Sequence, residues 1–82
     1  MFEMPLESKI QRNVIKRLQM DGWLVVKLTL TNLPGMPDLM ALKDGVARFY
    51  EVKQPGCKPR PLQDYRIQQL RDLGFEVEVI TK

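Results

Sequence analysis

Asp44 and Gly45 lie between two runs rich in apolar residues, and this dipeptide predicts a tight β-hairpin. If these two residues form the loop, Lys43 pairs with Val46, and this pair determines the register of all the others. A shift of one residue would move every side chain to the other face of the sheet. The two-residue loop therefore constrains the fold more than any other feature of the sequence.

In this register Asp38 lies directly opposite Glu51, and Lys53 shares their face because side chains alternate along a strand. Like charges opposed on one face repel each other at Cβ separations of about 4.5–5.5 Å. A divalent cation accounts for such a pair, because hard cations such as Mg²⁺ are held by carboxylate oxygens. A three-residue loop would place the two carboxylates on different faces. The alternative to a metal site is a surface hairpin with scattered charges.

The composition excludes several kinds of site and favours an anionic partner. The 82 residues include no histidine and one cysteine, Cys57, which excludes a His/Cys zinc site, Ser–His or Cys–His catalysis and a disulfide within one chain. The absence of a disulfide, a signal peptide and a long apolar run predicts an intracellular protein. The net charge of +3 mildly favours nucleic acid as a partner.

The sequence predicts one α/β domain, residues 1–82, with elements in the order αβββαβ. The predicted bounds are residues 5–21 for the first helix, 23–30, 38–43 and 46–53 for three strands, 61–73 for the second helix and 75–80 for the last strand. The second helix joins the third and fourth strands, so those strands are expected to be parallel with a right-handed connection. The first three strands are expected to be antiparallel neighbours in a mixed sheet.

Apolar spacing predicts which surfaces are buried. A period of four residues marks the buried face of the first helix, formed by Leu6, Ile10, Val14 and Leu18. The second helix has an apolar stripe that is expected to be mostly core, formed by Leu62, Tyr65, Leu70 and Leu73. The apolar run that begins at Trp23 predicts a strand buried on both faces, with Lys27 indicating either an edge strand or a phosphate contact. So short a chain buries a limited core, which favours oligomerisation.

Two polar residues fall in the first turns of the predicted helices. Glu7 either interacts with the positive end of the helix dipole or supplies a third acidic metal ligand. Gln63 is either exposed to solvent or directed at a metal-bound water or a substrate.

The segment Gly35-Met36-Pro37-Asp38-Leu39 followed by Glu51-Val52-Lys53 resembles the PD-(D/E)xK nuclease superfamily, and within it the VRR-NUC family. The remaining matching positions are Glu7, Gly56, Gln63 and residues 70–74. The resemblance covers nearly the whole chain, with no departure at the catalytic positions. It implies a restriction-endonuclease-like fold and metal-dependent hydrolysis of phosphodiester bonds in DNA. Stand-alone members are associated with phages and bacteria, with homodimers, and with branched DNA such as four-way junctions.

Together with the hairpin register, the resemblance predicts a role for each polar residue. Asp38, Glu51 and the carbonyl of Val52 would hold Mg²⁺ or Mn²⁺, and Glu7 would complete the acidic shell. Lys53 would orient the attacking water or stabilise charge in the transition state, and Gln63 would bind that water or the scissile phosphate. The predicted contacts to the DNA backbone are Lys9, Arg12, Lys58 and Arg60.

Two other functional classes remain open at this point. One is a non-catalytic DNA-binding module that retains a nuclease fold, although it would have no physical need for opposed carboxylates. The other is a small protein-interaction domain, for which nucleic acid would have no affinity.

Overall fold

Two helices and four strands form the fold in a computed structural model that describes residues 5–81. In chain order they are α1 (Leu6–Met20), β1 (Leu24–Lys27), β2 (Leu39–Lys43), β3 (Val46–Val52), α2 (Pro61–Asp72) and β4 (Glu76–Ile80). This confirms the predicted order αβββαβ. Neither of the helices within residues 5–81 has the length and hydropathy needed to cross a membrane.

The hairpin of β2 and β3 has the predicted register, with Lys43 paired to Val46 and Leu39 paired to Tyr50. Its loop residues, Asp44 and Gly45, have positive φ angles of 49° and 78°. A type I′ turn requires positive φ at both positions, and its twist matches that of the flanking strands. The local chemistry of this dipeptide therefore determines the register of the central strand pair.

The sheet is mixed and has the strand order β1-β2-β3-β4. The first two pairings are antiparallel and the pairing of β3 with β4 is parallel. α2 makes the crossover between the parallel strands, as the element order predicted.

Each helix covers one face of the sheet. Ile10 and Val14 of α1 pack with one set of alternating strand residues, which consists of Leu39, Ala41, Tyr50 and Val52. Ile67 and Leu70 of α2 pack on the opposite face against Phe49 and Val77. Because side chains alternate along paired strands, Asp38, Glu51 and Lys53 lie on the same face of the sheet as Phe49. This is the face that α2 covers.

The prediction that the first strand is buried on both faces is wrong. β1 has four residues at the edge of the sheet, Leu24 is 64% exposed, and Lys27 is exposed. α1 packs against β1, whereas α2 packs against β4, so the second helix leaves the other face of β1 uncovered. Lys27 therefore lies in an edge strand, which is one of the two predictions made for it.

The predicted apolar stripe of the second helix is also largely wrong. Only Leu70 of its four members is buried, whereas Leu62, Tyr65 and Leu73 are 46%, 61% and 69% exposed. The face of α2 that meets the sheet follows the spacing i, i+4, i+7, which passes through Gln63, Ile67 and Leu70. This rotation of the helix directs the Gln63 side chain towards the sheet.

Candidate active site

Asp38 joins the start of β2 to both neighbouring strands. Its carboxylate oxygen Oδ2 accepts a hydrogen bond of 2.8 Å from the backbone N–H of Val52. Its backbone carbonyl accepts a hydrogen bond of 2.8 Å from the N–H of Leu28. The preceding residue, Pro37, is buried and has no N–H to satisfy. These contacts place the Asp38 carboxylate beside the peptide that follows Glu51.

Glu51 is the one charged residue within residues 5–81 that is classed as buried, and it is 1% exposed. It lies in β3 between β2 and β4, where it pairs with Val79. Its oxygen Oε2 is 3.1 Å from Gln63 Nε2 and 3.4 Å from Lys53 Nζ. The other oxygen, Oε1, is buried without a hydrogen-bond partner in the described part of the chain. An unpaired buried carboxylate oxygen is costly, so this atom is available to a ligand.

Burial and the charge of Asp38 raise the pKa of Glu51 from 4.5 to about 7, and Glu7 adds to the increase. The ammonium group of Lys53 acts in the opposite direction, by its charge and by a hydrogen bond to the carboxylate. Desolvation and neighbouring anions both disfavour the ionised carboxylate. In the folded protein Glu51 is therefore near the midpoint of its titration at neutral pH.

Gln63 connects the site to the first turn of α2. Its Nε2 donates to Glu51 Oε2, while its Oε1 accepts a hydrogen bond of 2.8 Å from the backbone N–H of Arg60. Both ends of the amide are thus satisfied, and the side chain is half-buried. The alternative prediction, that Gln63 is exposed to solvent, is therefore wrong. Gln63 thereby orients the carboxylate of Glu51.

Glu7 lies in the first turn of α1 and is half-buried. Its charge contributes to the raised pKa of Glu51, so the beginning of α1 lies near the site. Within residues 5–81, however, no three His, Cys, Asp or Glu side chains are grouped closely enough to form a metal site. The structure therefore brings Asp38 and Glu51 together, with Glu7 at a greater distance.

The four predicted DNA-contacting cations lie on two segments, α1 and the loop before α2. Lys9 is half-buried and Arg12 exposed on α1, while Lys58 and Arg60 are exposed in the loop before α2. None of them forms an ion pair with a residue of the described chain. These side chains remain available to an anionic ligand.

The raised pKa of Glu51 predicts how stability depends on pH. The unfolded chain releases the Glu51 proton at a lower pH than the folded chain does, so the free energy of unfolding falls as pH rises from about 4.5 to about 7. The loss is on the order of 3 kcal/mol in the metal-free protein. Glu51→Gln does not titrate, so its free energy of unfolding should lack this decline. Urea denaturation of both proteins in chelator, between pH 4.5 and pH 8, measures the difference. Equal slopes in the two proteins would contradict the raised pKa.

Comparison with known proteins identifies the class. A solved VRR_NUC domain superposes with a TM-score of 0.85 and is 35% identical, over 93% of this chain and 84% of that chain. A curated protein of Acyrthosiphon pisum secondary endosymbiont phage 1, named "Putative nuclease p44", is 33% identical over 75 residues, which are 90% of this chain and 81% of that protein. A scan against protein-family models found no match. The fold and these likenesses define a nuclease. The chain belongs to the VRR-NUC family.

Sequence reasoning did not detect the direct contact between Gln63 and Glu51 or the unpaired Oε1 of Glu51. The spacing of Gln63, Ile67 and Leu70 was the available signal, since it marks the face of the helix that meets the sheet. Nothing in the sequence indicates which oxygen of Glu51 lacks a partner.

Proposed function

We propose that this chain is a divalent-metal-dependent endonuclease of the PD-(D/E)xK type, which hydrolyses phosphodiester bonds in DNA. The observation that supports it most directly is the environment of Glu51. This buried carboxylate lies across the strand pair from Asp38 and 3.4 Å from Lys53, with one oxygen unpaired. A structural ion pair has no use for a second carboxylate opposite the first, whereas two carboxylates are common ligands of one divalent cation.

The donor atoms fit a hard divalent cation. The unpaired Oε1 of Glu51 and the carboxylate of Asp38 are oxygen ligands of the kind that Mg²⁺ and Mn²⁺ prefer. The carbonyl of Val52 and the carboxylate of Glu7 would complete the set, the latter directly or through water. A bound Mg²⁺ or Mn²⁺ would supply Lewis-acid chemistry, by lowering the pKa of a bound water and neutralising charge on the phosphate.

Two side chains of the site have catalytic roles of their own in this proposal. Lys53 holds a compact positive charge beside the carboxylates, where it stabilises negative charge that develops on the phosphoryl oxygens. Gln63 keeps Glu51 in position through Nε2, and the backbone of Arg60 fixes the amide in turn. The Gln63 amide would also donate a hydrogen bond to the attacking water or to the scissile phosphate.

The proposed substrate is branched DNA, including four-way junctions, in a phage-infected or bacterial cell. Lys9, Arg12, Lys58 and Arg60 would contact backbone phosphates, which provide affinity without sequence information. An 82-residue chain offers little surface for reading base edges, so DNA structure rather than sequence would direct cleavage.

The test is a cleavage panel of duplex, single-stranded, flap and four-way DNA, with Mg²⁺, Mn²⁺ or chelator. We expect cleavage only with metal and preferentially of branched substrates, and no cleavage by an Asp38→Asn control. Binding of DNA without cleavage under every condition would instead identify a non-catalytic DNA-binding module.

We also propose that the protein acts as a homodimer, because two copies would present two active sites to a symmetric junction. Exposed apolar side chains away from the site support association, among them Met20 at 83% and Leu24 at 64% exposure. Pairing through β4 is disfavoured, because that edge carries Glu76 and Glu78 and Arg71 covers the Val77 carbonyl at 2.7 Å. Light scattering at micromolar concentration should give twice the chain mass of 9.6 kDa. The monomer mass with junction cleavage intact would contradict a functional dimer.

A further inference from the structure

Three exposed apolar side chains lie at the start of α2 and on the loop packed against it, and we call Leu33, Leu62 and Tyr65 the apolar rim. They are 43%, 46% and 61% exposed. Leu62 directly precedes Gln63, whose amide contacts Glu51 at 3.1 Å. Tyr65 is three residues after Leu62, so it neighbours Leu62 on the helix surface and is turned away from the sheet. The apolar rim therefore begins next to Gln63 and extends from there around α2, away from the sheet.

The loop that contains Leu33 is held closely against α2. Gly35 has a φ of 84°, and a Cβ atom at this position would lie 2.9 Å from Cγ of Leu62 and 2.8 Å from its carbonyl oxygen. Such distances leave no space for a larger residue. Arg66 Nε also donates a hydrogen bond of 3.2 Å to the carbonyl of Pro34. These contacts join the loop and the helix into one surface with a defined shape.

Cations outnumber acidic residues in the segment that carries Leu62 and Tyr65. The segment 54–66 contains the cations Lys58, Arg60 and Arg66, and one acidic residue, Asp64. The guanidinium of Arg66 lies 5.5 Å from the centroid of the Tyr65 ring. A second copy of the chain would bring the same cations against each other, whereas a polyanion is attracted. Aromatic side chains with adjacent cations are the surfaces on which unpaired bases stack.

We propose that the apolar rim contacts unpaired nucleobases that leave the active site across the start of α2. Tyr65 stacks on one base, and Leu62 and Leu33 pack against its neighbour. In continuous duplex the faces of the bases are stacked on each other, so they are unavailable to these side chains. The contact therefore favours DNA that is unpaired beside the cleavage point. This inference rests on the proposed DNA-cleaving function and specifies the substrate feature that the site selects.

The test uses a forked DNA with 2-aminopurine at the first unpaired nucleotide and a matched continuous duplex, both bound by the cleavage-deficient Asp38→Asn protein in Mg²⁺. Adding Tyr65→Ala should lower affinity for the fork by about tenfold or more, and Leu62→Ala should lower it less. Affinity for duplex should stay unchanged. Stacking on Tyr65 should quench 2-aminopurine fluorescence, and Tyr65→Phe should retain both the quenching and the affinity.

The matched control is Leu73→Ala, at an apolar position that is 69% exposed at the far end of the same helix. Equal fork affinity for Tyr65→Ala and Leu73→Ala would overturn the proposal. Conversion of a dimer to a monomer by Tyr65→Ala would also overturn it, because the apolar rim would then belong to an interface between copies.

The proposed nuclease function is tested separately with intact Asp38. If the parent cuts no DNA while the Tyr65 variant still loses fork binding, the nuclease function fails and the base contact stands. If the parent cuts DNA while the Tyr65 and Leu62 variants bind and cut as Leu73→Ala does, the base contact alone fails.

Discussion

Lys53→Ala should reduce the rate of DNA cleavage by about a hundredfold or more while retaining the metal site. The ammonium group is not a metal ligand, but it lies 3.4 Å from Glu51 Oε2, where its charge would stabilise the transition state. Its side chain is only 15% exposed, so water cannot replace the charge at full strength. Single-turnover cleavage of branched DNA and calorimetric titration with Mn²⁺ measure the two properties separately.

The metal affinities of the parent and Lys53→Ala should differ with pH, because Lys53 lowers the pKa of Glu51. Without the ammonium group the pKa of Glu51 rises further, so fewer molecules have the ionised carboxylate at pH 7 and metal affinity decreases there. At more alkaline pH the carboxylate ionises in both proteins, and metal affinity should become similar. Cleavage by Lys53→Ala should remain low at every pH.

Lys16→Ala is a matched control that removes the same charge from an exposed position of α1. It should keep parental rates of single-turnover cleavage at saturating DNA. Parental cleavage by Lys53→Ala would exclude this lysine from the mechanism. Equal losses in both variants would assign the effect to net charge rather than to the position of the ammonium group.

Asp38→Asn should abolish cleavage and remove the stabilisation that metal gives to the folded protein. In chelator two effects oppose each other. Removing the charge relieves repulsion with Glu51, worth roughly 0.2–1 kcal/mol, while an amide oxygen accepts the Val52 N–H more weakly than a carboxylate does. The free energy of unfolding should therefore stay within about 1 kcal/mol of the parent value.

Added metal should make the parent more stable than Asp38→Asn. A cation at 100 times its dissociation constant stabilises the parent by about 2.7 kcal/mol, because it binds the folded site and hardly the unfolded chain. For a domain of this size that corresponds to a rise in Tm of roughly 10–20 °C. Asp38→Asn should gain little. Melting curves of both proteins, with chelator and with Mg²⁺ or Mn²⁺, measure the effect.

Asp44→Asn is the control, because it removes one charge from the other end of the same hairpin. Its φ of 49° suits asparagine, and it should respond to metal as the parent does. A large loss of stability by Asp38→Asn in chelator would instead make its hydrogen bond to Val52 a structural requirement. An equal metal response in the parent and Asp38→Asn would place the cation away from Asp38.

Local chemistry determined the central part of the fold. Asp44 and Gly45 accept the positive φ angles of a type I′ turn, so the register that opposes Asp38 to Glu51 follows from two residues and the period of a strand. The crossover helix likewise allowed β3 and β4 to be parallel, because it returns the chain to the other end of the sheet before β4 begins. These features depend on neighbours in sequence, and for this reason they were predictable.

Tertiary packing decided the chemical environment of the site. The rotation of α2 on the sheet buries Ile67, exposes Tyr65 and places the Gln63 amide on Glu51, although the sequence pattern favoured a different apolar stripe. The pKa of Glu51 and its unpaired oxygen also depend on groups brought together from several elements. The sequence specified which groups are present. Burial and electrostatic interactions act through space, so the packing of α2 on the sheet determined the ionisation and exposure of those groups.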